Sequence, residues 1–313
     1  MKKNVLIFGA TGFIGHNIVE NLYDSNTYNL VLLVRNVQKS SHNFINFEGI
    51  TVIEGEISNC ELIEQILRAQ KIDLVIHLVS NLIPSSSYDD FNIELEHVVF
   101  PTFVLLELVI KHDVKFVFFS SGGTIYGNST GNISECNPLH PINYYGYSKL
   151  MIENHIQFLH TTKKLSYLIL RPANVYGKYQ KIESQQGFIA VALGKILSNS
   201  SIEIWGNGEV VRDFIDVQDV SGALKKLLEN NVLDRTFNVG SGEGNSLNEV
   251  LSIIETILET RIAIQYKDKR EVDLDRMILD ISELKKHIEF NPKSLKKGIN
   301  DFVTYIEKGD NGK

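Results

Sequence analysis

Tyr145 and Lys149 stand four residues apart in the run Tyr-Gly-Tyr-Ser-Lys, a spacing that places both on one face of a helix. An ammonium held beneath a phenol favours the phenolate, so the spacing predicts a tyrosine whose pKa falls from about 10 toward working pH. Such a tyrosine serves as general acid or base for a C–OH/C=O couple. Tyr144 and Tyr147 have no lysine four residues on, which singles out Tyr145.

A redox couple of this kind needs a hydride carrier, and the N-terminus offers a cradle for one. The apolar run Val5-Leu6-Ile7-Phe8 leads into Gly9-Ala10-Thr11-Gly12-Phe13-Ile14-Gly15. One glycine permits the tight turn, a second lets backbone approach a pyrophosphate, and a third lets the following helix lie close on the strand. The helix N-terminus then offers N–H groups to phosphate. Gly9, Thr11, Gly12, Phe13, Ile14 and Gly15 are therefore candidate cofactor contacts, and Lys149 reaches the nicotinamide ribose. Strand two ends Leu33-Val34-Arg35-Asn36, without the acid that binds a ribose 2′-hydroxyl in NAD sites. Arg35, with Lys39, Ser40 and Ser41 close behind, suits a 2′-phosphate and adenine stacking. NADP(H) is the favoured cofactor, with NAD(H) the alternative. After strand three, Gly55-Glu56-Ile57 places Glu56 and Ile57 near the adenine.

The elements that must hold these groups follow from apolar patterning. Residues 5–8, 30–34, 51–54, 74–78, 115–120 and 166–171 read as strands, apolar almost throughout, as parallel strands buried on both faces are. Helical patterns fill the gaps at 13–23, 60–69, 102–112 and 147–160. This alternation predicts an α/β fold built on a doubly wound parallel (Rossmann) sheet with right-handed crossovers. Beyond Pro172 the rhythm breaks. Helices are expected at 187–197, 217–228 and 247–258, strands at 202–205 and 236–239, then a polar tail that frays at 308–313. The expected division is a cofactor-binding part, residues 1–172, with returns from about 212–243, and a smaller interleaved C-terminal α/β lobe, residues 173–313, mainly for substrate.

Bulk properties narrow the partners. With 43% hydrophobic and 22% charged residues, the 313-residue chain can bury a full-sized core. A net charge of −7 gives no general attraction to nucleic acid or membranes. Cys60 and Cys136 fall in no CxxC pattern and read as free thiols of a reducing compartment. The apolar run at the N-terminus stops at Gly9, too early for a signal peptide, and no run approaches the roughly 20 residues of a membrane span. The expectation is a cytoplasmic protein. His77, His97, His112, His140, His155 and His160 form no ligand-spaced cluster with acids, so no metal is expected.

The ordered segments Gly9–Gly15, Ser120-Ser121-Gly122-Gly123-Thr124-Ile125-Tyr126-Gly127, Tyr145–Lys149, Leu170-Arg171-Pro172-Ala173-Asn174 and Val211-Arg212-Asp213-Phe214-Ile215-Asp216 resemble the extended short-chain dehydrogenase/reductase family of nucleotide-sugar epimerases, dehydratases and ketoreductases. The resemblance runs from Gly9 to about Pro292. It implies that Leu78 and Pro172 join the cofactor contacts, that Asn174, Arg212 and Arg270 bind a substrate diphosphate, and that Asp273 reaches the nucleotide ribose. It also implies a homodimer formed through a four-helix bundle by the helices at 102–112 and 147–160. The chain departs from the family pattern at Gly122, where a Ser or Thr usually hydrogen-bonds the reacting oxygen. Thr124 is the favoured replacement and Ser121 the other. A family asparagine is replaced near Val98, and Pro101 stands where glycine is usual.

Two reactions fit. One is NADPH-dependent reduction of a dTDP-linked 4-keto-6-deoxyhexose at C4, with Tyr145 protonating the oxygen, to make an activated deoxysugar for surface polysaccharide such as O-antigen. The other is UDP-hexose 4-epimerisation with tightly held NAD. Arg35 favours the first, and the segment from Ser120 to Gly127 looks more like members described as epimerases. A dehydratase would place Asp and Glu where Gly123 and Thr124 stand. A non-catalytic nucleotide-sensing relative is the reading from another class, supported by Gly122 and opposed by the Tyr145/Lys149 pair.

Overall fold

Side chains alternate across a strand, so in strand β1 (Lys3–Phe8) Val5 and Ile7 meet one apolar layer while Leu6 and Phe8 meet another. The computed structural model describes residues 2–38, 44, 47–127, 131–183, 186–268 and 275–309. Around β1 stand β2 (Tyr28–Val34), β3 (Thr51–Glu54), β4 (Leu74–His77), β5 (Lys115–Phe119), β6 (Tyr167–Pro172) and, further along the chain, β11 (Arg235–Val239). They form a seven-stranded sheet in the order β11-β6-β5-β4-β1-β2-β3, and every pairing in it is parallel. The order reverses between β1 and β4, the crevice where doubly wound sheets take their ligands.

Helices cover both faces. Helix α1 (Phe13–Asp24) lies on the Val5/Ile7 side. On the other side lie α2 (Cys60–Ala69), a helical run made of α3 (Tyr88–Glu94), a π turn (Leu95–Val99) and α4 (Phe100–Lys111), and then α5 (Tyr144–Lys163). Asn143 caps α5 by accepting from the Gly146 N–H, and Lys164 ends it in the left-handed region at φ 60°. The run 88–101 did not read as helix because its mix of polar and aromatic residues has no clean period. The wide turn has a local cause: Pro101 has no N–H and its ring crowds the carbonyl four residues back, and the Phe100 N–H reaches back to Leu95.

After β6 the chain enters a second lobe. Its elements are β7 (Asn174–Tyr176), α6 (Phe188–Leu197), β8 (Ile202–Trp205), β9 (Val211–Arg212) and β10 (Phe214–Asp216). Helix α7 (Val217–Glu229) and β11 then return to the main sheet, where α7 lies beside α1. The chain leaves once more through β12 (Asn245–Ser246), α8 (Leu247–Leu258), β13 (Ile264–Lys267), β14 (Arg276–Met277), α9 (Ser282–His287) and α10 (Leu295–Glu307). The expected polar tail is thus corrected. Leu295, Ile299, Phe302 and Val303 recur at helical spacing and are buried with Ile189, Leu193, Ile204 and Ile254 in the lobe's own core. Intervening charges had hidden that stripe. No helix among the described residues is long and apolar enough to cross a membrane.

Candidate active site

The glycine turn is built as its chemistry requires. Gly9 adopts φ +83°, where a side chain is strained, and lies so near the end of β4 that an added Cβ would be 3.2 Å from the Leu78 carbonyl carbon. Gly15 permits the closest approach: a Cβ there would lie 2.1 Å from the Gly9 oxygen. Gly12 is the N-cap of α1, with no side-chain cap and no acid in the first turn. Thr11 and Gly12 are exposed, and Phe13 and Ile14 half-buried. An uncapped helix start beside a glycine turn, at the switch point, fits a dinucleotide pyrophosphate. Arg35 is exposed just past β2, Glu56 is exposed and Ile57 buried past β3. In the same corner Glu54, at the end of β3, accepts from the Val37 N–H at 2.9 Å.

Across the crevice, the Gly146 backbone packs against the Thr124 carbonyl, so a Cβ at Gly146 would lie 2.6 Å from that oxygen. This contact brings the start of α5 against the loop after β5. The Ser121 hydroxyl faces Tyr145 there and acts to lower its pKa. The Thr124 hydroxyl is buried without a partner. Gly122 has no room for the missing hydroxyl, because a Cβ would come 2.8 Å from the Arg171 oxygen and 2.6 Å from Leu279. The Gly122 N–H donates to the Pro172 carbonyl at 2.8 Å.

Lys149 is buried, its Nζ 5.0 Å from the ring centre of Phe118 and 5.8 Å from that of Tyr145. The expected fall in the Tyr145 pKa is corrected by the structure of the protein alone. Burial pushes the phenol above its ordinary value, the Ser121 hydrogen bond works downward, and the carboxylate of Glu94 pushes upward. Burial also brings Lys149 down to about 8, against the pull of Glu94 and Glu153. Glu94 escaped the sequence reading because no motif contains it. His77, buried beneath Lys149, is held neutral, its pKa lowered to about 3 by burial first and by Lys149 second.

Below the reacting pair runs a polar network. Glu153 takes Arg171 through both oxygens, at 2.6 Å to Nη2 and 3.0 Å to Nε. Arg171 donates to the Tyr126 hydroxyl at 2.8 Å, and that hydroxyl donates to Asn238 at 2.6 Å. Burial first of all pushes the Tyr126 phenol up to about 12. On the lobe side, Asn174 Nδ2 donates to the Asp213 carbonyl at 2.8 Å, and its Oδ1 lies near Gly123. Asp213 is fully buried and accepts from Ser241, Gly242 and Leu279, tying three segments together. Arg212 is half-buried and donates to the Val211 carbonyl at 3.0 Å. Arg270 and Asp273 lie outside the described residues. Ser121, Gly123, Tyr145, Lys149 and Asn174 thus come from the loop after β5, the start of α5 and the start of β7, and Gly9, Gly12, Gly15 and Leu78 from the ends of β1 and β4 and the start of α1.

Residues 5–240 match the model of the NAD dependent epimerase/dehydratase family. The chain belongs to that family. Among relatives of this epimerase/dehydratase chain, a dTDP-4-dehydro-6-deoxyglucose reductase of Escherichia coli is 30% identical over 97% of this chain and 98% of its own. A UDP-glucose 4-epimerase of Bacillus subtilis is 29% identical over 92% of each chain. The structure of the Thermotoga maritima UDP-glucose 4-epimerase with UDP-glucose superposes at a TM-score of 0.90 and 30% identity, covering 98% of this chain and 99% of that one. Members of the family are NAD(P)-dependent nucleotide-sugar epimerases, dehydratases and reductases, and the doubly wound fold is theirs. Among the described residues no group of three or more His, Cys, Asp or Glu is arranged to hold a metal ion.

Proposed function

We propose that the chain is an NADPH-dependent 4-ketoreductase acting on a nucleotide-linked 4-keto-6-deoxyhexose, supplying an activated deoxysugar for surface polysaccharide. The observation that carries this reading is the end of β2, where the exposed Arg35 stands in place of an acid. A guanidinium there pairs with a 2′-phosphate and stacks on adenine. The Tyr145 phenol supports it further: burial keeps the proton on, as a group that must donate to a ketone oxygen requires.

In this reading Gly9, Thr11, Gly12, Phe13, Ile14 and Gly15 hold the pyrophosphate, and Arg35, Glu56 and Ile57 the adenosine end. Leu78, Pro172 and Lys149 flank the nicotinamide ribose. The bound nicotinamide supplies the hydride to C4. Tyr145 gives its proton to the C4 oxygen, and Ser121 holds that oxygen and the phenol in line. Thr124, with its unpartnered hydroxyl, faces substrate. Asn174, Arg212 and Arg270 take the diphosphate and Asp273 the ribose. Residues 1–172, with the return over 212–243, carry the cofactor, and residues 173–313 mainly the sugar nucleotide. A homodimer would form through α4 and α5, where Phe100, Val104, Tyr147 and Phe158 are exposed apolar side chains.

The second reading is a UDP-hexose 4-epimerase. Glu54 favours it, since this carboxylate lies in the corner beside the β2 end, as does the Thermus thermophilus UDP-glucose 4-epimerase with NAD, at a TM-score of 0.88 and 27% identity over 97% of this chain and 99% of that one. One experiment separates the two. The purified protein is denatured, released nucleotide is identified, and NADPH oxidation is followed with a dTDP-4-keto-6-deoxyhexose. An empty site and NADPH oxidation are expected. NAD that co-purifies, together with interconversion of UDP-hexoses and no NADPH oxidation, overturns the reductase.

A further inference from the structure

Glu94 closes helix α3 and is 1% exposed. Its carboxylate accepts from the Ser80 hydroxyl at 2.9 Å, the Asn81 N–H at 3.0 Å and the Asn81 side-chain amide at 3.2 Å. All three donors are neutral. They sit on the loop that leaves β4, the strand lining the cofactor crevice. A buried carboxylate whose hydrogen bonds come only from neutral groups keeps its field, because no cation at contact distance cancels it.

Two local features aim that field at the reacting pair. Phe91, one turn earlier on α3, stacks on Tyr144 at 5.0 Å and lies 5.7 Å from the ring of Tyr147, so α3 is docked on the first turn of α5. The π turn Leu95–Val99 begins immediately after Glu94. A π turn changes the register of the residues beyond it, so α4 continues under the sheet in a register different from that of Glu94, whose charge acts on both Tyr145 and Lys149. Among the described residues, two other titratable groups, Glu153 and His77, act on or lie against Lys149. Glu153, on α5 itself, is committed to Arg171 at 2.6 Å. His77, from β4, is neutral.

We propose that Glu94 is a positioning residue for the Tyr145–Lys149 couple, its buried charge fixing the Lys149 ammonium and setting the pH range in which the Tyr145 proton is transferable. This rests on the assignment of Tyr145 and Lys149 as the reacting pair. Glu94 counters the burial of Lys149 and so keeps the ammonium charged at neutral pH. It opposes ionisation of Tyr145 and so keeps the proton available for donation.

The test reads Tyr145 directly in cofactor-free protein. Tyrosine ionisation is followed by ultraviolet difference absorbance, and the Tyr145→Phe trace is subtracted to isolate one of the 12 tyrosines. In Glu94→Gln, which keeps an acceptor for Ser80 and Asn81, Tyr145 ionises about one pH unit lower than in the parent, the size of effect one buried charge has. Glu94→Asp restores the parent value, which a purely steric role would not predict. Identical ionisation in the parent and Glu94→Gln overturns the proposal. If Glu94→Gln does not fold, Glu94→Leu takes its place, removing the charge without burying a new polar group: Tyr145 ionising lower than in the parent supports the proposal, and identical ionisation overturns it. With substrate, the alkaline limb of kcat moves down with the ionisation. A shifted ionisation without turnover of any nucleotide sugar leaves the role of Glu94 standing and removes the ketoreductase instead.

Discussion

The hydroxyl of Ser121 meets the phenol of Tyr145 where the loop after β5 touches the first turn of α5. The family resemblance leads one to expect a Ser or Thr at the next position, Gly122, so in the proposed reading the hydroxyl stands one residue back along the chain. Removing it in Ser121→Ala lowers kcat about 10²- to 10³-fold, the usual worth of one hydrogen bond made to the developing charge in the transition state. Thr124→Val, which removes the partnerless hydroxyl, costs less. Steady-state kinetics on both variants checks the order, and a larger loss at Thr124 would reverse the roles.

Tyr145→Phe removes the transferable proton and leaves the ring. Turnover falls about 10²- to 10⁴-fold. Cofactor affinity, measured by fluorescence of bound NADPH, changes little. Unchanged turnover would leave Tyr145 without a catalytic role.

Returning a hydroxyl to position 122 does not help. In Gly122→Ser the new Cβ would press on the Arg171 carbonyl, which is backbone and cannot swing aside. Urea unfolding shows a loss of about 1–3 kcal/mol, and activity does not rise.

Arg35→Glu exchanges a partner of the 2′-phosphate for a group that repels it. The Kd for NADPH rises about tenfold or more, while that for NADH holds or improves. Calorimetric titration with the two dinucleotides checks this. Equal effects on both would place Arg35 outside the 2′-phosphate site.

Two buried histidines make the fold sensitive to acid. His16 stacks on Tyr179 at 3.7 Å between ring centres, and burial lowers its pKa from 6.5 to about 4. His77 is lowered to about 3. In both, the unfolded chain binds a proton before the folded one does, so their contribution to stability is whole above pH 6.5. It is lost as pH falls toward 4 and 3, at about 1.4 kcal/mol for each unit of depression. His16→Phe keeps the stack and flattens the decline in melting temperature between pH 6.5 and 4. An unaltered decline would show that His16 does not titrate in that range.

What could be read from the sequence was what backbone physics demands. Gly9 is favoured by its φ of +83° and its closeness to the Leu78 backbone, and Gly15 is forced by contact with the Gly9 oxygen, which leaves no room for a Cβ. The strands of the main sheet are short and apolar on both faces, so they stood out. Glu94 did not, because it belongs to no motif and its burial comes from partners on the loop after β4, 13 and 14 residues away in sequence. The choice between Ser121 and Thr124 depends on the path of a loop, which composition does not encode. Helix α10 was missed because charges interrupt its stripe of Leu295, Ile299 and Phe302, whose partners lie far off in sequence, from 189 to 254.

The route of the chain between lobe and sheet has a practical consequence. Strand β11 completes the sheet beside β6, and α7 shields the face it shares with α1; both come from beyond residue 210. A fragment ending at Pro172 would carry the glycine turn and the Tyr145–Lys149 pair yet expose the whole β6 edge and a bare apolar surface. Unpaired strand edges of that kind recruit other chains. The fragment would aggregate rather than behave as a separable cofactor module, and a crossover with a relative at that boundary would need to carry 212–243 along with it.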